Sequence, residues 1–288
     1  RAFHEALQTD DQAPGARRGL SEVFEAEGNV KSAEEEYRRQ IADSPRYWSP
    51  HINYGSFLIR YGRYRDAETS IVTGLTFAPD NPRAIGNLAG LYALTERLGA
   101  ADAELRRAVK IRPDVVTYNN LAWVQVYQGH FTEALPWMEQ AVHLPRSDSF
   151  YWGNLARMYR WAGRRGDATT TYDKALRLAR EELAQQPTDL RLRGNYAQML
   201  AEVGRRGDAV SEITSALALA PRNVSLLFRK ALVHELNGDR TAALQALEAA
   251  SAAGYSRLEI NHHPALARLR SDPGYTRIAA VPPVPGGP

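Results

Sequence analysis

The side chains able to do acid–base or metal chemistry are scattered along this chain. It has seven histidines: His4, His51, His130, His143, His234, His262 and His263. None forms the H-E-x-x-H spacing that sets two imidazoles on one helix face for zinc. His262 and His263 stand together before Pro264, but adjacent side chains on a loop rarely converge with a third ligand, so a solvated or capping role is expected and no metal site. Glu34, Glu35 and Glu36 read as a solvated face rather than an acid–base pair. There is no phosphate-cradling glycine loop and no G-x-S-x-G nucleophile elbow. Zero cysteines exclude thiolate nucleophiles, thiolate metal sites and disulfides. Arg165, Gly166 and Asp167, and again Arg206, Gly207 and Asp208, read as a turn and helix start with an acid near the N-terminus. The expectation is a chain that is not an enzyme and holds no cofactor.

The polar residues that do recur are built for hydrogen bonding. Asn53, Asn87, Asn120, Asn154 and Asn195 each precede a large apolar residue: Tyr54, Leu88, Leu121, Leu155 and Tyr196. An asparagine amide offers two donors and an acceptor, so such a column could grip the N–H and C=O groups of a passing extended chain. It could equally hold a neighbouring helix. Three residues on come Ser56, Gly90, Trp123, Arg157 and Gln198, and one turn further Arg60, Leu94, Tyr127, Trp161 and Glu202. Trp123, Tyr127, Arg157, Arg160 and Trp161 should cluster near the middle of this face. Aromatic residues and arginine are enriched at interface hot spots; core packing is the competing reading for Trp123.

The elements that must position these residues are helices at a fixed period. Ala33, Ala67, Ala101, Ala134, Ala168, Ala209 and Ala243 recur at steps of 33 or 34 with one step of 41, the mark of a stacked-repeat protein. A second small column runs Ser21, Gly55, Ala89, Ala122, Ala156, Ala197 and Ala231. Helices packed 8–10 Å apart need little bulk where they cross. Gly28, Gly62, Gly129, Gly163, Gly204 and Gly238 fall between the two helices of a pair, where a residue tolerant of positive φ ends a helix. Pro45, Pro79, Pro113, Pro187 and Pro221 follow second helices, which a proline cannot continue.

Trp152, Leu155, Ala156 and Tyr159, followed by Ala168 and Tyr172, resemble the tetratricopeptide-repeat signature W-x2-L-G-x2-Y, A-x3-F. The resemblance runs over residues 1–252. It implies an all-α, right-handed superhelical solenoid of antiparallel helix pairs, with first helices lining a concave groove, and family members that bind extended peptides use asparagines in this place. Residues 1–13 read as the second helix of a truncated repeat, as if this were a piece of something longer. Residues 14–254 then hold seven repeats, starting near 14, 48, 82, 115, 149, 190 and 224. The 41-residue step adds seven helix-favouring residues after Leu176, so that helix should run about two turns longer. Residues 255–280 read as helices capping the last apolar face, and 281–288 as a Pro/Gly-rich tail.

The chain has 288 residues, 44% hydrophobic and 24% charged, with net charge +3. It has no apolar run long enough to span a membrane. The charge falls short of the concentrated footprint of a nucleic-acid binder, and the paired arginines, such as Arg106 and Arg107, lie mostly on second helices and turns. The expected function is therefore an interaction scaffold that binds a peptide or partner segment in the concave groove. A spacer or self-associating arm is the alternative, and RNA binding a distant one. The wording of the last third, Gly254 and Tyr255 leading to His263, Pro264 and Pro273, resembles the C-terminal arrays of bacterial multidomain regulators with kinase or winged-helix and TolB-like parts. That resemblance implies a sensory or regulatory module, periplasmic if it follows a membrane span and otherwise cytoplasmic.

Overall fold

A computed structural model describes residues 15–145 and 147–280, with the side chains of 279 and 280 outside the description. The truncated first repeat and the Pro/Gly-rich tail expected at the two ends therefore lie outside the described residues. Within them the protein is all-α, with sixteen helices, one 3-10 turn and no strand. No described helix is long and apolar enough to cross a membrane.

The helices come in antiparallel pairs. The first-helix members are α1 (Ala16–Ala26), α3 (Trp48–Arg60), α5 (Pro82–Leu94), α7 (Val115–Tyr127), α9 (Ser149–Trp161), α11 (Leu190–Glu202) and α13 (Val224–Asn237). Their partners are α2 (Val30–Asp43), α4 (Tyr64–Phe77), α6 (Leu98–Ile111), α8 (Phe131–His143), α10 (Arg165–Gln185), α12 (Arg206–Leu219) and α14 (Arg240–Ala252). Then come α15 (Arg257–His262), a 3-10 turn (Pro264–Leu266) and α16 (Pro273–Ala280). Most partner helices have 13 or 14 residues, whereas α10 has 21.

Local chemistry sets these boundaries. Asp114, Asp148, Asp189 and Asn223 each accept a hydrogen bond from a backbone N–H in the first turn of α7, α9, α11 and α13, satisfying donors that the helix leaves unpaired. The turns inside the pairs use glycine at φ near +80°, as at Gly163. There the N–H of Arg164 reaches back to the Tyr159 carbonyl at 2.8 Å, the six-to-one bond of a helix stop. At Arg63, Arg164 and Arg205 the guanidinium pairs with the acid three residues on, Asp66, Asp167 and Asp208. Two of these are the Arg-Gly-Asp turns, which thus close on themselves.

The small columns are the crossing points. Ala33, Ala67, Ala101, Ala134, Ala209 and Ala243 are fully buried, and Ala168 nearly so. At Gly55 an added Cβ would lie 2.5 Å from Ile71 Cγ1, and at Gly74 2.7 Å from Ile52 Cδ1. Those crossings therefore tolerate no side chain without repacking.

The described chain forms two compact units, which divide between Leu91 and Tyr92, within α5. The first has its core around Tyr37, Ile52, Phe57, Leu58 and Ile71. The second holds three apolar clusters. One gathers Met138, Leu155 and Met158, and the next Tyr172, Met199 and Ile213. In the last, Leu266, Leu269, Tyr275 and Ile278 pack on Phe228, Leu232 and Leu247. The C-terminal helices thus cover the final repeat's apolar face.

Candidate partner-binding surface

In the first unit the first-helix face is polar and open. Asn53 on α3 is mostly buried, and its Oδ1 accepts a hydrogen bond from Arg83 Nη2 at 2.8 Å. Asn87 Nδ2 donates to Ser56 Oγ at 2.8 Å. Arg60 forms a two-pronged pair with Glu25, Nε to Oε2 at 2.9 Å and Nη2 to Oε1 at 2.7 Å. Tyr37 donates to the same carboxylate at 2.7 Å; burial first, then Glu25, raises its pKa. Asn53, Ser56, Arg60, Arg83, Glu25 and Tyr37 line, with Arg18 and Glu22, a cleft of about 290 Å³.

In the second unit the matching residues are turned into the protein. Asn154 is 1% exposed. Its Nδ2 donates to Asn119 Oδ1 at 2.8 Å, and its Oδ1 accepts from Arg157 Nη1 at 2.7 Å. Arg157, 2% exposed, passes the chain of bonds to Glu202 Oε1 at 2.8 Å. Gln198 donates to the same oxygen at 3.0 Å and accepts from Arg229 at 2.6 Å. Arg160 lies 3.8 Å from Glu202. Asn195 is as buried as Asn154 and makes no hydrogen bond with the described residues.

Of the column's asparagines in this unit only Asn120 is exposed, and its neighbour Asn119 does the pairing. The five-asparagine column is thus not one row of amides facing outward. Close helix packing buries both Asn154 and Asn195, and the Asn154 amide bonds sideways to the neighbouring first helix rather than to a passing strand.

The aromatic cluster forms, with an extra member. Trp123 lies 5.5 Å from Tyr127 and 5.7 Å from Trp161, edge-on to the latter. His263 stands among them, 5.6 Å from Trp123, 5.7 Å from Trp161 and 5.8 Å from Phe228 between ring centroids. It is 3% exposed. Its Nδ1 accepts the Ala265 N–H at 3.2 Å, which requires the neutral ring with its proton on Nε2. Burial, followed by the nearby Arg157, Arg229, Arg270 and Arg160, pushes its pKa down to about 3. Arg270 donates to the carbonyl of Asn261 at 2.8 Å, and Tyr275 to that of Ile260, also at 2.8 Å. The C-terminal segment therefore crosses the first-helix face of its own unit and fills the place where Trp123, Tyr127, Arg157 and Trp161 meet. Among the described residues no group of three or more His, Asp or Glu could hold a metal ion.

Sequence models of the tetratricopeptide repeat match residues 82–115, 115–144, 153–187 and 196–256, together more than half of the chain. The chain belongs to the tetratricopeptide-repeat family. Among curated proteins it is similar to the type IV pilus assembly protein PilF of Pseudomonas aeruginosa, with 35% identity over 94 residues. That stretch is 32% of this chain and spans 37% of the relative's length. Among solved structures, a tetratricopeptide-repeat protein of Parabacteroides merdae superimposes with TM-score 0.60 at 16% identity, covering 88% of this chain and 93% of that one. Pseudomonas aeruginosa PilF itself gives 0.53 at 17% identity, over 78% and 97%. The Cut9–Hcn1 assembly of the APC/C gives 0.59 at 13%, over 96% and 50%. At these identities the structural likeness speaks for the fold alone.

Repeat periodicity alone misses His263 and Glu96. His263 lies outside the repeat, so no column points to it. Glu96 leaves a visible trace: it stands where the other intra-pair turns carry glycine, at φ 58°.

Proposed function

We propose that this tetratricopeptide-repeat chain is a non-catalytic interaction scaffold that takes a segment of a partner protein on the first-helix face of its first unit. The observation behind this reading is the open polar cleft there. Asn53, Ser56, Arg60 and Arg83 line it beside Glu25, Glu22 and Arg18, so donors and acceptors of both signs face solvent. Such a lining suits an extended segment with charged or amide side chains, with Asn53 and Asn87 as its backbone-facing amides. Trp123, Tyr127, Arg157, Arg160 and Trp161 would serve a second stretch of partner only once the chain's own C-terminal segment has left them. PilF, whose name is that of an assembly protein, supports a scaffold role. A place in a bacterial sensory or regulatory protein, suggested by the wording of the last third, belongs to the same proposal.

The test is peptide display on the intact chain, followed by titration of the selected peptides. Replacing Asn53 and Arg83 together by Ala should weaken those peptides by about tenfold or more, the cost of losing anchor contacts. The helical melt should stay close to wild type. Peptides that bind the double variant as well as the parent would end this reading.

A further inference from the structure

Seven turns join the helices of a pair, and six carry a glycine with φ between 72° and 83°. The seventh carries Glu96 at φ 58°, the one non-glycine residue with positive φ among the described residues. A Cβ is sterically disfavoured in that conformation, so the turn bears strain that glycine would remove. Such strain at a single position points to a use for the side chain. Here the carboxylate reaches the far end of the chain: Oε1 accepts from Asn261 Nδ2 at 3.3 Å, and Oε2 lies 3.6 Å from His262 Nε2. The next residue, His263, enters the space between Trp123, Trp161 and Phe228. The backbone of this stretch is held by Arg270 and Tyr275, members of the C-terminal segment itself. Its grip on the face of the more distant repeats is through side chains, at Glu96 and at the rings.

We propose that residues 261–266 are a resident occupant of a peptide site on the first-helix face of the second unit, latched by Glu96. The external ligand of that site is a peptide carrying an imidazole or aromatic ring ahead of a proline. The occupant already present defines this chemistry: a flat ring seats among three rings, Pro264 turns the chain away behind it, and amide or imidazole N–H groups meet an acid in front. A partner reaches Trp123, Arg157 and Trp161 by displacing the segment, so the latch sets how often the face is free. This rests on the preceding reading only in that a first-helix face receives polypeptide.

The experiment uses the full chain and a fluorescent synthetic peptide with the sequence of residues 257–270. Glu96→Gly relieves the strained turn while cutting the latch, so the two effects separate. The melt should hold or rise, residues 261–266 should exchange amide hydrogens faster, and the probe should bind about three- to tenfold tighter, because apparent affinity follows the open fraction. The protein has no cysteine, so Glu96→Cys with Asn261→Cys gives a single pair. Oxidation should abolish probe binding and reduction restore it. His263→Ala should also open the face.

The proposal falls if Glu96→Gly raises the melt without faster exchange and without tighter probe binding, or if oxidised and reduced double-cysteine proteins bind alike. It also falls if cutting the latch produces a dimer with exchanged C-terminal segments. Replacing Asn53 and Arg83 should leave this probe unaffected. If it abolishes binding, the probe sits on the first unit, and this inference fails while the preceding reading stands.

Discussion

The two units place the same repeat positions in opposite circumstances. In the first, Asn53 and Arg60 border an open cleft, and the Arg60–Glu25 pair is half exposed on the arginine side. In the second, Asn154, Arg157 and Glu202 form a buried hydrogen-bonded chain, with Arg157 2% and Glu202 0% exposed, beneath the resident segment. One column of residue types thus supplies a surface in one place and an interior in the other. What differs is whether another piece of chain lies on top. Water stabilises the charges of the open face, whereas the covered face must satisfy every charge from within.

The largest contrast should come from the arginines. Arg157→Ala takes from buried Glu202 its close charged partner and from Asn154 Oδ1 its donor, and should destabilise the second unit by about 3–5 kcal/mol, read from denaturant melts. Arg60→Ala, cutting a pair whose arginine is half in solvent, should cost about 1 kcal/mol. Equal losses would erase the distinction between the faces.

Acid should come next. His263 has an ordinary pKa of 6.5 that the docked state depresses to about 3. Between those values the released segment binds a proton that the docked one refuses. Docking is therefore strongest above pH 6.5 and weakens as pH falls toward 3, by at most about 1.4 kcal/mol per pH unit. Glu259 works in the opposite sense. Its burial raises its carboxyl pKa against the pull of Tyr255 and Arg229, so acid relieves rather than loosens it. Hydrogen exchange of residues 261–266 at pH 7.5, 6 and 5 should show growing openness. His263→Asn should remove that trend and leave only the Glu259 contribution.

Within the asparagine column the contrast is finer. Asn154→Ala strips partners from Asn119 and Arg157 in a buried setting and should cost about 1–3 kcal/mol. Asn120→Ala, on an exposed position one repeat earlier, should change stability by less than about 0.5 kcal/mol. Thermal melts of the two variants side by side decide this. If Asn120 is the costly one, the pairing between neighbouring first helices has been assigned to the wrong amide.

The fold was written in the residues. Ala33 to Ala243, Gly55 and Gly74 recur because two helices cannot cross closely over bulk, and glycine at six turns recurs because a backbone with positive φ disfavours a Cβ. The acids and asparagines before α7, α9, α11 and α13 are visible as caps for the same local reason. Each is set by contacts within one repeat or with the next, and a fixed period exposes them. The candidate site was only half legible. Trp123, Tyr127, Arg157, Arg160 and Trp161 share a face by helical spacing, and they do gather. Spacing alone does not separate Asn154, which bonds sideways to a neighbouring helix, from Asn120, which meets water.

The sequence by itself determined the repeat, the helix pairs and the faces on which the polar and aromatic residues stand, because those follow from rules a few residues long. Only the tertiary structure decided which face is covered. That choice turns on contacts such as Glu96 with Asn261, which lie 165 residues apart. It turns equally on an imidazole set among three rings, whose burial and four nearby arginines hold its pKa well below the ordinary value. Distances of that kind arise from how the stacked helices bring remote turns together, and no period in the chain encodes them.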